Sequence, residues 1–124
     1  MATITHVDIS AVDPERAKKF YQDLFDWKIE LLPGPMNYYL IETTDLNGQK
    51  GVGGGLSKRD KSQPAGMVNF MGVKSIDESI IKVENLGGKI IQSKQSIPGW
   101  GYLVVCVDTE NNRFGLFQDD TSAK

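Results

Sequence analysis

The feature that most constrains this chain is that it writes one pattern twice. Ile4-Thr5-His6-Val7-Asp8-Ile9 is a short alternating run followed by a helix start at Asp13-Pro14-Glu15. Met67-Val68-Asn69-Phe70-Met71-Gly72-Val73 is a second such run, followed by a helix start at Ser75-Ile76-Asp77-Glu78. The two helix caps stand 62 residues apart in a chain of 124. A module of this size cannot bury a sheet face alone, so two tandem β-α-β-β-β modules must share one α+β fold.

Period two sets Ile4, His6 and Asp8 on one face of the first strand and Thr5, Val7 and Ile9 on the other. Asp13 offers an N-cap acceptor, Pro14 suits the first turn and Glu15 sits near the positive end of the dipole. Ala17, Phe20, Tyr21, Leu24 and Phe25 then fall at helical spacing and predict a broad core-facing stripe. Trp27-Lys28-Ile29-Glu30-Leu31 opens a second strand, broken by Pro33-Gly34-Pro35. Tyr38 to Thr43 is the third strand, with no face assigned to Tyr38 or Tyr39. Asn47-Gly48 marks a hairpin, and Gly51 to Leu56 is a glycine-rich fourth strand. It lacks the lysine and hydroxyl of a phosphate loop, so we read it as thinned to let a ligand or another backbone approach closely.

Residues 57–66 are polar and contain Pro64 and Gly66, which predicts a linker between module 1–56 and module 67–124 of a single domain, 1–124. In the second module Ser75 and Glu78 make a capping box. Ile76, Ile80, Val83 and Leu86 give the buried helix stripe, and Gly87-Gly88 ends it. Strands follow at Lys89–Gln92, Tyr102–Val107 and Arg113–Gln118, with turns at 97–101 and 108–112.

Composition narrows the function. The formal net charge is −2, whereas nucleic acid and anionic membrane both demand a basic face. Lys58-Arg59-Asp60-Lys61 is interrupted by an acid and reads as a solvated loop. The one cysteine, Cys106, lies in an apolar run as a core residue, and no disulfide can form within the chain. With no basic and apolar leader at the N-terminus, a cytoplasmic location is the expectation.

His6-Val7-Asp8-Ile9, Asp13-Pro14-Glu15-Arg16-Ala17, Phe20-Tyr21 and Trp27-Lys28 resemble the vicinal oxygen chelate superfamily. This group includes glyoxalase I, extradiol dioxygenases and the fosfomycin and bleomycin resistance proteins. Leu86-Gly87-Gly88-Lys89 and Asp108-Thr109-Glu110-Asn111 carry the resemblance through the second module. It implies an incomplete eight-stranded barrel, the glyoxalase/bleomycin-resistance/dioxygenase fold. The ligand cleft would form either within one chain or by exchange between two, and a homodimer is implied. In the superfamily's metal enzymes, histidine and glutamate on strands one, four, five and eight chelate a divalent ion that polarises two substrate oxygens.

At those slots this sequence carries His6, one of Gly53 to Gly55, Val68 and Gly115. Only His6 can donate; Asp8 adds one carboxylate on the same strand face, while Glu42, Asn69 and Gln118 lie outside the slots. We therefore expect no cofactor, with zinc, nickel, manganese or iron as the alternative. The expected cleft lining is His6, Asp8, Gly54, Val68, Phe70, Trp100, Tyr102, Gly115 and Phe117, with no catalytic residue identified. The expected function is binding of an apolar or aromatic metabolite. The alternatives are a divalent-metal lyase, isomerase or dioxygenase, and a non-catalytic interaction module.

Overall fold

Asp13 and Ser75 open the two helices by the same device. In the computed structural model, which describes residues 1–34 and 37–124, each cap is extended. Each side chain accepts from the backbone N–H three residues on, Arg16 for Asp13 and Glu78 for Ser75. One orphan donor per helix is thereby satisfied. Pro14 opens α1 (Pro14–Phe25), where its missing N–H removes no helical bond. α2 (Ile76–Asn85) gains a further cap from far along the chain, since Ile76 N donates to Gln118 Oε1 at 2.9 Å.

Eight strands accompany the helices. They are β1 (Ile4–Ala11), β2 (Lys28–Leu31), β3 (Tyr39–Glu42), β4 (Gly53–Lys58), β5 (Met67–Gly72), β6 (Lys89–Ile97), β7 (Gly101–Val107) and β8 (Arg113–Asp119). The β-α-β-β-β order thus occurs twice. β4 runs two residues into the predicted linker. β6 is longer than predicted because its pairing with β7 survives two register shifts. Of the Pro33-Gly34-Pro35 break, Pro35 lies outside the described residues.

The strands fall into two compact units, His6–Met67 and Val68–Lys124 with Met1–Thr5. The first residues join the second unit through hydrogen bonds: Gly72 N donates to Thr3 O at 3.0 Å, and the Thr5 hydroxyl donates to Phe70 O at 3.3 Å.

In the His6–Met67 unit the strand order is β2-β3-β4-β1, with β1 parallel to β4 and the other pairs antiparallel. Ile9, Ala11, Ile29, Tyr39, Ile41 and Leu56 form its core, packed with Val7, Ala17, Tyr21 and Trp27. The Tyr39 phenol donates to Glu15 Oε2 at 2.6 Å, which holds its proton above the usual tyrosine range. The α1 stripe is narrower than predicted. Phe20, Leu24 and Phe25 remain more than half exposed, because Ala17 and Tyr21, one turn apart, are the residues that meet the sheet. Phe25 instead lies 4.9 Å from Trp27, and Phe20 meets Tyr21 edge-on at 5.3 Å.

In the second unit the order is β5-β8-β7-β6, with β5 parallel to β8. Ile76, Val104, Cys106 and Leu116 form its core, with Ile80, Val83, Met71 and Phe114 against them. Cys106 is free and fully buried, and burial pushes its thiol up, away from nucleophilic chemistry. Leu86, predicted on the buried stripe, is 77% exposed because it lies past the last helical residue. Among the described residues no helix is long and apolar enough to cross a membrane.

Candidate functional site

Strand register decides what stands beside His6. β1 pairs with β4 as His6↔Gly53, Val7↔Gly54 and Asp8↔Gly55, and β3 pairs with β4 as Ile41↔Gly54 and Leu40↔Gly55. Paired residues share a face, so His6, Asp8, Gly53, Gly55 and Leu40 point away from the α1 core. Gly54 falls on the opposite parity, with Val7 and Ile41, and does not stand with His6 and Asp8 as expected. A methyl on Gly54 would lie 3.0 Å from the Val7 carbonyl carbon. At this position the thinned strand admits another backbone.

At Gly55 it admits a side chain. The Tyr38 phenol lies across this glycine, where an added methyl would overlap the ring and sit 2.6 Å from Cε1. Its hydroxyl donates to Asp8 Oδ1 at 3.2 Å, and His6 Nε2 lies 3.4 Å from the same oxygen. Burial, then the Asp8 charge and hydrogen bond, drive the Tyr38 pKa well above the ordinary tyrosine range. The phenol is therefore protonated at neutral pH with its hydrogen directed at Asp8. The His6 and Asp8 side chains retain 24% and 30% exposure. Imidazole, carboxylate and phenol thus share one patch of sheet. Such a patch can anchor a polar group of a ligand while the Tyr38 ring and Leu40 offer apolar surface.

Tyr38 is the residue that sequence reasoning missed. Its signal is the size match between a ring entering β3 and a glycine on β4, and that match is visible only once the register is known.

The second unit repeats the device without polar groups. β5 pairs with β8 as Phe70↔Gly115 and Gly72↔Phe117. The buried Phe70 ring covers Gly115, where an added methyl would overlap the ring and lie 2.7 Å from Cζ. Val68 and Phe117 share the face of Phe70 and Gly115 by parity. Tyr102 does not: it pairs with Gln118 and packs against the α2 core, with Lys94 Nζ 4.7 Å from its ring centre. Leu103 and Val105 take the positions on the Phe70 face instead. Trp100 stands 54% exposed in the turn before β7.

The donor set does not fit a protein-held divalent ion. Of the four slots, only His6 carries a donor. Gln118 is used by the α2 cap, Asn69 is exposed, and Glu42 lies 3.9 Å from Lys28 Nζ. Among the described residues no group of three His, Cys, Asp or Glu side chains gathers as a metal centre would require.

No family model matches the chain. A glyoxylase-like domain-containing protein of Didymella fabae is 28% identical over 122 residues, covering 91% of each chain. CFP32 of Mycobacterium bovis, which carries a glyoxylase name, is 27% identical over 116 residues and 90% of this chain. The chain spans 44% of that relative's length. A glyoxalase/bleomycin resistance protein/dioxygenase superfamily member from Vibrio splendidus matches with a TM-score of 0.68, at 14% identity over 96% of this chain and 100% of its own. Methylmalonyl-CoA epimerase, solved with methylmalonyl-CoA and NH4+, matches with a TM-score of 0.72, at 11% identity over 100% and 99%. At such identities these structures speak to fold and not to reaction. The residue pattern, the glyoxylase-like relatives and the solved structures agree: the chain is similar in sequence to glyoxylase-like proteins and has the fold of the glyoxalase/bleomycin resistance/dioxygenase, or vicinal oxygen chelate, superfamily.

Proposed function

We propose that the chain is a small-molecule-binding member of this superfamily with a degenerate metal site, and that it takes an apolar or aromatic metabolite at the surface carrying His6. The observation that supports this most is the Tyr38 ring across Gly55, tied to Asp8 beside His6. An aromatic ring stands where a side chain at position 55 of β4 would project, and its hydroxyl bonds the Asp8 carboxylate. His6 beside this pair, with the Tyr38 ring and Leu40 as apolar surface, suits a ligand that brings one polar group and one stacked or apolar face.

A thermal-shift screen of untagged protein against aromatic and aliphatic metabolites tests the reading. A true ligand at a hundred times its Kd adds about 2.7 kcal/mol of apparent stability. His6→Ala should keep the far-UV spectrum and melting point while weakening that ligand about tenfold or more, and EDTA should change neither. The glyoxylase names of the relatives favour a second reading, a metal-dependent lyase. Stoichiometric zinc, nickel, manganese or iron in the purified protein, or loss of stability on chelation, would establish it in place of the first.

A further inference from the structure

We propose a second binding site in the His6–Met67 unit, for a small organic monocarboxylate, in the cavity between the C-terminal end of β1 and α1. This cavity of about 400 Å³ is lined by residues 10–13 of the β1–α1 connection, by Arg16, Ala17, Phe20 and Tyr21 of α1, and by Arg59. A volume of this order suits a small ligand.

Three observations specify the ligand. First, Arg59 is not the solvated loop residue its sequence suggests. β4 carries it alongside β1, its backbone N–H donates to Ala11 O at 2.9 Å, and its side-chain Nε is buried without a hydrogen-bond partner. A buried guanidinium donor without an acceptor costs free energy that an anionic oxygen would recover. Second, Arg16 also lines the cavity, and the planar guanidinium fork matches carboxylates in two-point geometry. Third, the rest of the wall sets the charge and shape. Asp13 lines the cavity too, its Oδ1 engaged by Arg16 N at 3.2 Å. The charged lining residues Asp13, Arg16 and Arg59 sum to a single net positive charge, which suits a monoanion better than a phosphate dianion. Phe20, more than half exposed, and Tyr21 offer flat apolar surface for the body of the acid. The site also gives the exposed Phe20 a use that the α1 core does not. It does not depend on His6.

Titration of ¹⁵N-labelled protein with benzoate, followed by amide shifts, tests it. Saturable shifts should centre on Ala11, Ala17 and Arg59. Neutral benzamide and sulfate should bind at least tenfold more weakly. His6→Ala should leave the benzoate isotherm unchanged, which separates this site from the one proposed above. Arg59→Gln should weaken benzoate tenfold or more. Arg16→Gln provides the same readout if Arg59→Gln does not fold. Equal binding of benzoate and benzamide, sulfate binding tighter than benzoate, or an unchanged isotherm in a folded Arg59→Gln or Arg16→Gln protein would overturn the proposal.

Discussion

Gly55→Ala is the sharpest probe of the His6 patch. On general grounds the change should stabilise, since alanine has fewer unfolded conformations to lose, by about 0.4–1 kcal/mol. Here the new methyl would overlap the Tyr38 phenol and approach Cε1 to 2.6 Å, so the ring must leave. Its hydrogen bond to the Asp8 carboxylate goes with it, a loss of about 1.5–3 kcal/mol. Displacement and repacking add about 1–3 kcal/mol. The clash outweighs the entropy term, and the net cost is about 1.5–5.5 kcal/mol. With an unfolding entropy of about 2.1 cal/mol/K per residue, a chain of 124 residues should melt about 6–21 °C lower. Urea unfolding followed by far-UV circular dichroism measures the cost directly. The discriminating experiment repeats Gly55→Ala in a Tyr38→Ala background, where the methyl has room and the penalty should shrink to about zero or reverse. A wild-type melting point for Gly55→Ala, or an equal penalty in both backgrounds, would refute the account.

Three further outcomes follow from the same geometry. The raised pKa of Tyr38 means that its contribution is complete below the ordinary tyrosine value of 10.0 and is lost as pH climbs through the higher folded value. Urea midpoints should therefore fall above about pH 10, and Tyr38→Phe should flatten that slope. Phe70, 2% exposed, should cost about 3–5 kcal/mol when cut to alanine, as read by chemical denaturation. Gly115→Ala should also destabilise, through the same ring, and Phe70→Leu should partly relieve it in a double-mutant cycle.

Much of this molecule was legible in its residues because the signals were local. Asp13, Pro14 and Ser75 mark helix starts through side chains that bond amides three positions away. Alternation in Ile4–Ile9 and Met67–Val73 marks strands because a pleat has period two. The spacing of these signals implies two modules without any knowledge of pairing. The absence of donors at Val68 and Gly115 is likewise a property of residue type alone.

What tertiary structure alone decided depends on which strands lie side by side, and in what register. A shift of one residue moves every side chain of a strand to its other face. Gly54 and Tyr102 therefore parted from the residues they were grouped with, although both lie on predicted strands. Register brings Tyr38 over Gly55 and against Asp8, residues 30 apart in the chain, and turns Tyr39 towards α1. Pairing at the end of β4 draws Arg59 out of a polar stretch and buries its Nε. The width of the face that α1 covers leaves Phe20, Leu24 and Phe25 outside the core. Secondary structure follows from neighbours within a few residues and was visible in the chain, whereas the chemistry of both proposed sites comes from residues that only strand register makes neighbours.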